Sequence, residues 1–221
     1  ITYRTRKVKG CKKDVSPFSY QFANKASVSY RTDWVQRYGD KAFVNVHLGQ
    51  SELRYQDSIF TVGVGTQNLK LGPANINPII LSRNAGGFPS VDLGTAQPLQ
   101  FHFKKRNLGN FETKIIFGQL SESRYFDAFP ENNKRFFTGM TVGYIPPFLP
   151  NLVLGFNKVL YKQSKYYTPS DLAALFWIFD QGIMIDSVLT KDSFDQMASF
   201  FVDWKFEEAD LRIYLEWAKN D

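Results

Sequence analysis

Five carboxylates, Glu122, Asp127, Asp195, Glu216 and Asp221, are the residues whose type could support acid–base work, and paired acids of this kind cleave glycosidic bonds. They fall at no motif spacing, and acids scattered along the polar face of a sheet are expected without any catalysis. The chain lacks Gly-x-Ser-x-Gly, His-Glu-x-x-His, a Walker loop and a complete dinucleotide fingerprint. Gly63-Val64-Gly65 has no third glycine and lies inside an alternating segment, where small residues suit a tight bend. His47 and His102 are the only histidines and Cys11 the only cysteine, so a His-rich metal centre and an intrachain disulfide are both excluded. The residues point to a non-enzymatic chain with no catalytic residue, no metal and no cofactor.

The elements that must position any binding residue read as strands. Of the 221 residues, 43% are hydrophobic and 16% aromatic, with 21 Phe and 11 Tyr against 3 Met, which suits pleated sheet and rules out disorder. Period-two alternation recurs at 27–37, 42–48, 58–65, 98–106, 110–120, 136–145, 151–161, 197–206 and 210–218. In the last two, Phe200, Val202, Trp204 and Phe206 share one face, as do Leu211, Ile213, Leu215 and Trp217. Ser199, Phe201, Asp203, Lys205, Arg212, Tyr214 and Glu216 take the other. Glu207-Glu208-Ala209-Asp210 reads as the turn between them.

Residues 136–157 carry no charge, long enough for a transmembrane helix, but Pro146, Pro147 and Pro150 break it and favour a hairpin. A half-buried sheet and an outer-membrane barrel both alternate. Trp and Phe on the apolar faces and charges on the opposite ones favour the barrel, with aromatic girdles outside and a wet wall inside. The net charge of +6 comes from six basic residues within 1–13, and the remainder is balanced. Such a strip suits a solvated rim better than nucleic acid. Two segments differ: 69–95, with three Pro and four Gly, reads as a long ordered loop, and 169–180 as a short helix capped at Ser170 or Asp171.

At that loop, Ser82-Arg83-Asn84-Ala85-Gly86-Gly87-Phe88-Pro89, followed by Val91-Asp92-Leu93-Gly94-Thr95, resembles the signature of the Wzi-type capsule assembly family. Leu71-Gly72-Pro73 is similar to that family's upstream Gly-Pro loop. Phe117 to Phe126, Asp195-Gln196-x-Ala198-Ser199 and Tyr214-x-Glu216-Trp217-Ala218-x-Asn220-Asp221 resemble later motifs, so the likeness runs from about Gly63 to Asp221. Arg83, Gly86 and Gly87 depart from the commoner Asn and Pro. The family-motif loop residues are Gly72, Pro73, Ser82, Asn84, Phe88, Pro89, Gly94 and Thr95.

The resemblance implies an all-β fold: an antiparallel outer-membrane barrel of about eighteen strands, within the bacterial range. It also implies a lectin-like role in attaching capsular polysaccharide at the surface of the bacterial outer membrane. Fewer strands are legible here, so 1–221 is expected to be a single β-barrel domain covering part of a larger barrel. Sugar recognition needs aromatic platforms and charged or amide groups. The expected glycan-binding residues are Arg124, Tyr125, Tyr144, Arg212, Tyr214 and Glu216. The partners expected are surface polysaccharide, outer-membrane lipid and other outer-membrane proteins, with no nucleic acid. The alternative is a structural accessory subunit of a larger outer-membrane complex.

Overall fold

The computed structural model describes residues 2–3, 43–44, 48–82, 86–121, 134–176 and 195–220. The chain divides into two compact units. In the first (1–48 and 121–134), the described backbone is an antiparallel pairing of β1 (Thr2–Tyr3) with β2 (Phe43–Val44). The expected strand 27–37 and most of 42–48 lie outside the described residues.

The second unit (49–120 and 135–221) is an antiparallel sheet of nine strands. They are β3 (Glu52–Gln56), β4 (Phe60–Gly65), β5 (Ser90–Thr95), β6 (Leu99–Phe103), β7 (Arg106–Ser121), β8 (Lys134–Ile145), β9 (Leu152–Gln163), β10 (Asp195–Phe206) and β11 (Leu211–Asn220). The order is β11-β10-β9-β8-β7-β5-β4-β3, with β6 also paired to β7. Among the described residues the sheet is open, and β3 and β11 are its edges. Seven of the strands match alternating segments in the sequence; β3 and β5 do not. Ser90–Thr95, placed in the loop by the sequence, pairs between β4 and β7, so the loop proper spans 66–89.

The two ends of the sheet differ. Short turns 57–59, 104–105, 146–151 and 207–210 lie at one end, and the connections 66–89, 122–133 and 164–194 leave from the other. Pro146 accepts from the backbone N–H of Leu149, closing the proline turn. Asp210 takes a left-handed φ of 46°, which closes the β10–β11 hairpin where the sequence placed it.

Register divides the sheet into two faces. On the inner face lie Arg54, Gly63, Asp92, Ile116, Phe137, Val159, Asn157, Ser199, Asp203, Arg212 and Glu216. The loop 66–82 crosses this face: Leu71 and Ile80 bury against Ile116, Phe137 and Val159, with Leu69, Leu81 and Phe88 packed around them. On the outer face Val64, Val91, Leu93, Leu154, Phe200, Val202, Trp204, Leu211, Ile213, Leu215 and Trp217 are all exposed. The alternation therefore leaves a run of exposed apolar side chains on the outer face and sets the ion pairs Arg54–Asp92 and Arg212–Asp203 on the inner one, beside the core under the loop.

The outer face is covered at the end bearing the long connections. A 3-10 helix, Pro169–Leu175, lies over β8 and β9, with Ala174 and Leu175 buried against Met140 and Leu160. It is shorter than the helix expected over 169–180, and 177–180 lie outside the described residues. Its cap is Thr168, two residues before Ser170 and three before Asp171, the two expected caps; Asp171 accepts from the Thr168 N–H and hydroxyl. Lys162 donates to the same carboxylate at 2.8 Å.

Burial pushes the Asp171 carboxyl up, but these hydrogen bonds outweigh it and hold the group below the ordinary carboxylate range. A carboxylate with a lowered folded pKa contributes its stability in full above the unfolded pKa and loses it as pH falls through the folded value. Protease protection of 164–176 should thus stay flat from about pH 7 to 5 and fall below about pH 4. In Asp171→Asn, protection should be reduced at pH 7 and lack that acid limb.

Candidate functional site

The inner face carries two polar groupings, with the loop between them. The first joins β3, β5 and β7. Arg54 donates to Asp92 Oδ2 at 2.8 Å and to the Thr61 hydroxyl at 2.9 Å, and pairs with Glu52. Lys114 Nζ lies 3.2 Å from Asp92 Oδ1. The guanidinium reaches Asp92 across β4 because Gly63 stands between them: a Cβ there would lie 2.5 Å from Arg54 Nη2 and 2.8 Å from Asp92 Oδ2. Gly63 therefore serves as clearance for an ion pair rather than as the bend the sequence suggested.

The second grouping joins β9, β10, β11 and the loop. Arg212 donates to both oxygens of Asp203 at 2.7 Å, to the Pro73 carbonyl at 2.9 Å and to Asn75 Oδ1 at 3.2 Å. Its planar fork suits this task, since two N–H groups grip the carboxylate while the others face the loop. Glu216 accepts from the Ser199 hydroxyl at 2.8 Å, and Ser199 accepts from Asn157 Nδ2 at 3.0 Å. The Ile79 N–H points at Glu216 Oε2 at 3.5 Å. Gly72 sits above that carboxylate with a left-handed φ of 102°, and a Cβ there would come 2.7 Å from Glu216 Oε2. Both backbone conformation and clearance require glycine here.

Arg212 and Glu216, expected to contact glycan, thus hold the loop across the inner face. Tyr214, between them on β11, keeps 42% of its surface exposed, and Arg212 lies 5.3 Å from its ring centroid. Tyr144 is elsewhere. The sequence set it with the polar wall, but its register opposite Leu154 places it on the outer face, where its ring meets Phe111 at 4.7 Å and its hydroxyl donates to Leu108. Arg124, Tyr125 and Asn84 lie outside the described residues.

The other loop-motif residues take structural positions. Pro73 accepts from Arg212, and Phe88 meets Phe137 edge-on at 5.2 Å. Pro89 accepts from the Gln119 N–H, and Thr95 from the Thr113 N–H. Gly94 is buried, close against the Thr113 and Lys114 backbone, and Ser82 immediately follows the Leu71–Leu81 bridge. Sequence reasoning missed Arg54 and Lys114, and quoted Asp92 within the family motif without giving it a role. The one local signal was a glycine in mid-strand.

Arg212→Ala should free the loop tip and leave Asp203, whose side chain is 14% exposed, without its partner. A loss of about 1.5–3 kcal/mol is expected, as for hydrogen bonds to charged groups. Urea unfolding would measure it, with faster protease cutting at 72–79. Arg212→Lys should recover only part of the loss, because an ammonium cannot form the fork.

Among the described residues no cluster of His, Cys, Asp or Glu could hold a metal, and no helix is long and apolar enough to cross a membrane. Comparison with curated proteins and with solved structures finds no match. The family model described as Capsule assembly protein Wzi matches residues 9–221, nearly the whole chain. An open antiparallel sheet with a loop seated on its charged face is therefore the architecture of a chain that belongs to the Wzi capsule assembly family.

Proposed function

We propose that this chain builds the wall of a bacterial outer-membrane β-barrel that holds capsular polysaccharide at the cell surface without chemically altering it. The observation that carries the membrane reading is the separation of faces. From Val64 and Leu93 through Val202 to Leu215, exposed apolar side chains cover the outer face, while Arg54, Asp92, Asp203 and Arg212 line the inner one. Water on the outer face would leave these side chains as one exposed apolar patch, the kind of surface that marks a membrane or protein contact. Hydrocarbon accommodates it, with Trp204 and Trp217 toward the two interfaces.

The asymmetry of the ends supports an orientation. Outer-membrane barrels keep short turns on the periplasmic side and long loops outside. The end with connections 66–89, 122–133 and 164–194 then faces the exterior. Arg124 and Tyr125 fall within one of these connections, and we assign them to glycan contact together with Tyr214, whose exposed ring suits a sugar C–H face. Arg212 and Glu216 contribute through their remaining accessible edges and through the loop they hold. Outer-membrane lipid is the partner of the outer face.

The test is the fate of capsule in a strain lacking the protein. Polysaccharide should be made in normal amount but shed into the medium, and the intact protein should restore its retention. Unchanged retention, with the protein co-purifying at fixed ratio with another barrel, would instead identify an accessory subunit.

A further inference from the structure

The outer face carries a feature that a lipid-facing wall should not contain. Along β9 the residues on this face read Leu154, Phe156, Lys158, Leu160 and Lys162. The two lysines lie toward the end with the long connections, where Gln196 and Lys219 share the same face on β10 and β11. Lys158 is fully buried, and its ammonium donates to the Ala174 carbonyl at 2.6 Å. Lys162 is held by Asp171. Both are covered by the segment Ser164–Phe176, whose Tyr167 ring also stacks on Phe136 at 3.9 Å.

The boundary between belt and cap follows one row of the register. Val142, Phe156, Phe200 and Trp217 pair across β8 to β11 and close the apolar belt. The next row is Met140, Lys158, Ala198 and Lys219, where the charges begin. Bare ammonium groups are strongly disfavoured in hydrocarbon, whereas a tryptophan beside a lysine is the usual order of residues at a bilayer interface. On its far side the cap presents Phe176, 69% exposed, and Lys165, whose ammonium lies over the Tyr166 ring at 4.8 Å. An exposed aromatic and an exposed cation on one short segment suit a layer that is apolar below and phosphate-bearing above.

We propose that the segment Ser164–Phe176 is an interfacial element that lies in the phosphate-bearing headgroup layer and marks where β8–β10 leave the bilayer. Phe176 dips toward the acyl chains, Lys165 meets headgroup phosphate, and the cap's underside keeps Lys158 and Lys162 out of lipid. This rests on the membrane reading given above. It adds a lipid-contacting element outside the strands and fixes the height of the sheet in the membrane.

The experiment is a depth measurement on the whole protein in phosphatidylcholine vesicles. Cys11→Ser is combined with Phe176→Cys or Leu215→Cys, each carrying a nitroxide. Accessibility to oxygen and to a water-soluble nickel chelate gives the depth of each label. Both sites are exposed, 69% at Phe176 and 69% at Leu215, so neither substitution opens the core. The expected result is hydrocarbon depth at 215 and headgroup depth at 176. A label at 176 as open to nickel as a free aqueous nitroxide, with 215 still in hydrocarbon, would overturn the interfacial element and leave the barrel reading intact. A label at 176 as deep as that at 215 would overturn it as well. An aqueous 215 would overturn the membrane reading itself.

Discussion

Phe137→Ala should destabilise the protein by about 3–5 kcal/mol, the usual range for emptying a phenylalanine site in a closed core. Phe137 has no exposed surface and stands where the loop 66–82 meets the sheet. Its ring contacts Phe88 at 5.2 Å and Tyr161 at 5.4 Å, and Leu71, Ile80, Ile116 and Val159 fill the remaining shell. Strand pairing on either side holds the backbone in place, so collapse around the missing ring is limited. The loop should loosen first, because the ring is its main apolar seat, and protease cutting within 71–81 should rise before the sheet unfolds. Phe148→Ala serves as the control: this ring sits in the β8–β9 turn, 77% exposed, and a change of about 0.5 kcal/mol or less is expected. Urea unfolding of both variants checks the contrast.

The second large effect separates the two faces at neighbouring residues. Ile213→Arg should weaken assembly in lipid by about 2–4 kcal/mol, whereas Tyr214→Arg should be tolerated. Ile213 pairs with Trp204 within the apolar belt, and its side chain is 54% exposed on the outer face. On the proposed membrane reading, an arginine there must desolvate or thin the bilayer. Tyr214 pairs with Asp203 on the inner face, where an added guanidinium meets water and a nearby carboxylate. Heat-modified gel mobility after folding into vesicles reads both variants, and equal tolerance would contradict the assignment of faces.

How far the sequence revealed this arrangement depends on how local each signal was. The β10–β11 hairpin was fully legible, since unbroken alternation from Phe200 to Trp217 assigns every side chain to a face. β3 was not, although Glu52-Leu53-Arg54-Tyr55-Gln56 alternates, because five residues with three polar ones carry little weight in isolation. It is fixed by pairing with β4 and by the Arg54–Asp92 contact, which spans distant parts of the chain. β5 was hidden in a segment rich in Pro and Gly, and small residues there permit the close approach of Gly94 to β7.

The candidate site was legible in composition but not in geometry. Arg212 and Glu216 were visible as polar-wall residues, yet nothing local showed that they face Pro73, Asn75 and Ile79 of the loop. Tyr144 was misplaced for a related reason: Tyr suits either face, and only the pairing with Leu154 decides which. Lys158 and Lys162, which the sequence did not single out, fall on the apolar face of β9 and are covered by the segment beyond it, a fold-back that no local signal announces.

The central claim is that the barrel itself holds capsular polysaccharide. Its most direct test is equilibrium binding of the purified, detergent-solubilised protein to capsular polysaccharide isolated from the same strain. The account predicts saturable binding that competes with fragments of that polysaccharide, weakens in Tyr214→Ala and survives in Phe148→Ala. Absence of saturable binding by protein shown to be folded, under conditions where the cells retain their capsule, would contradict it.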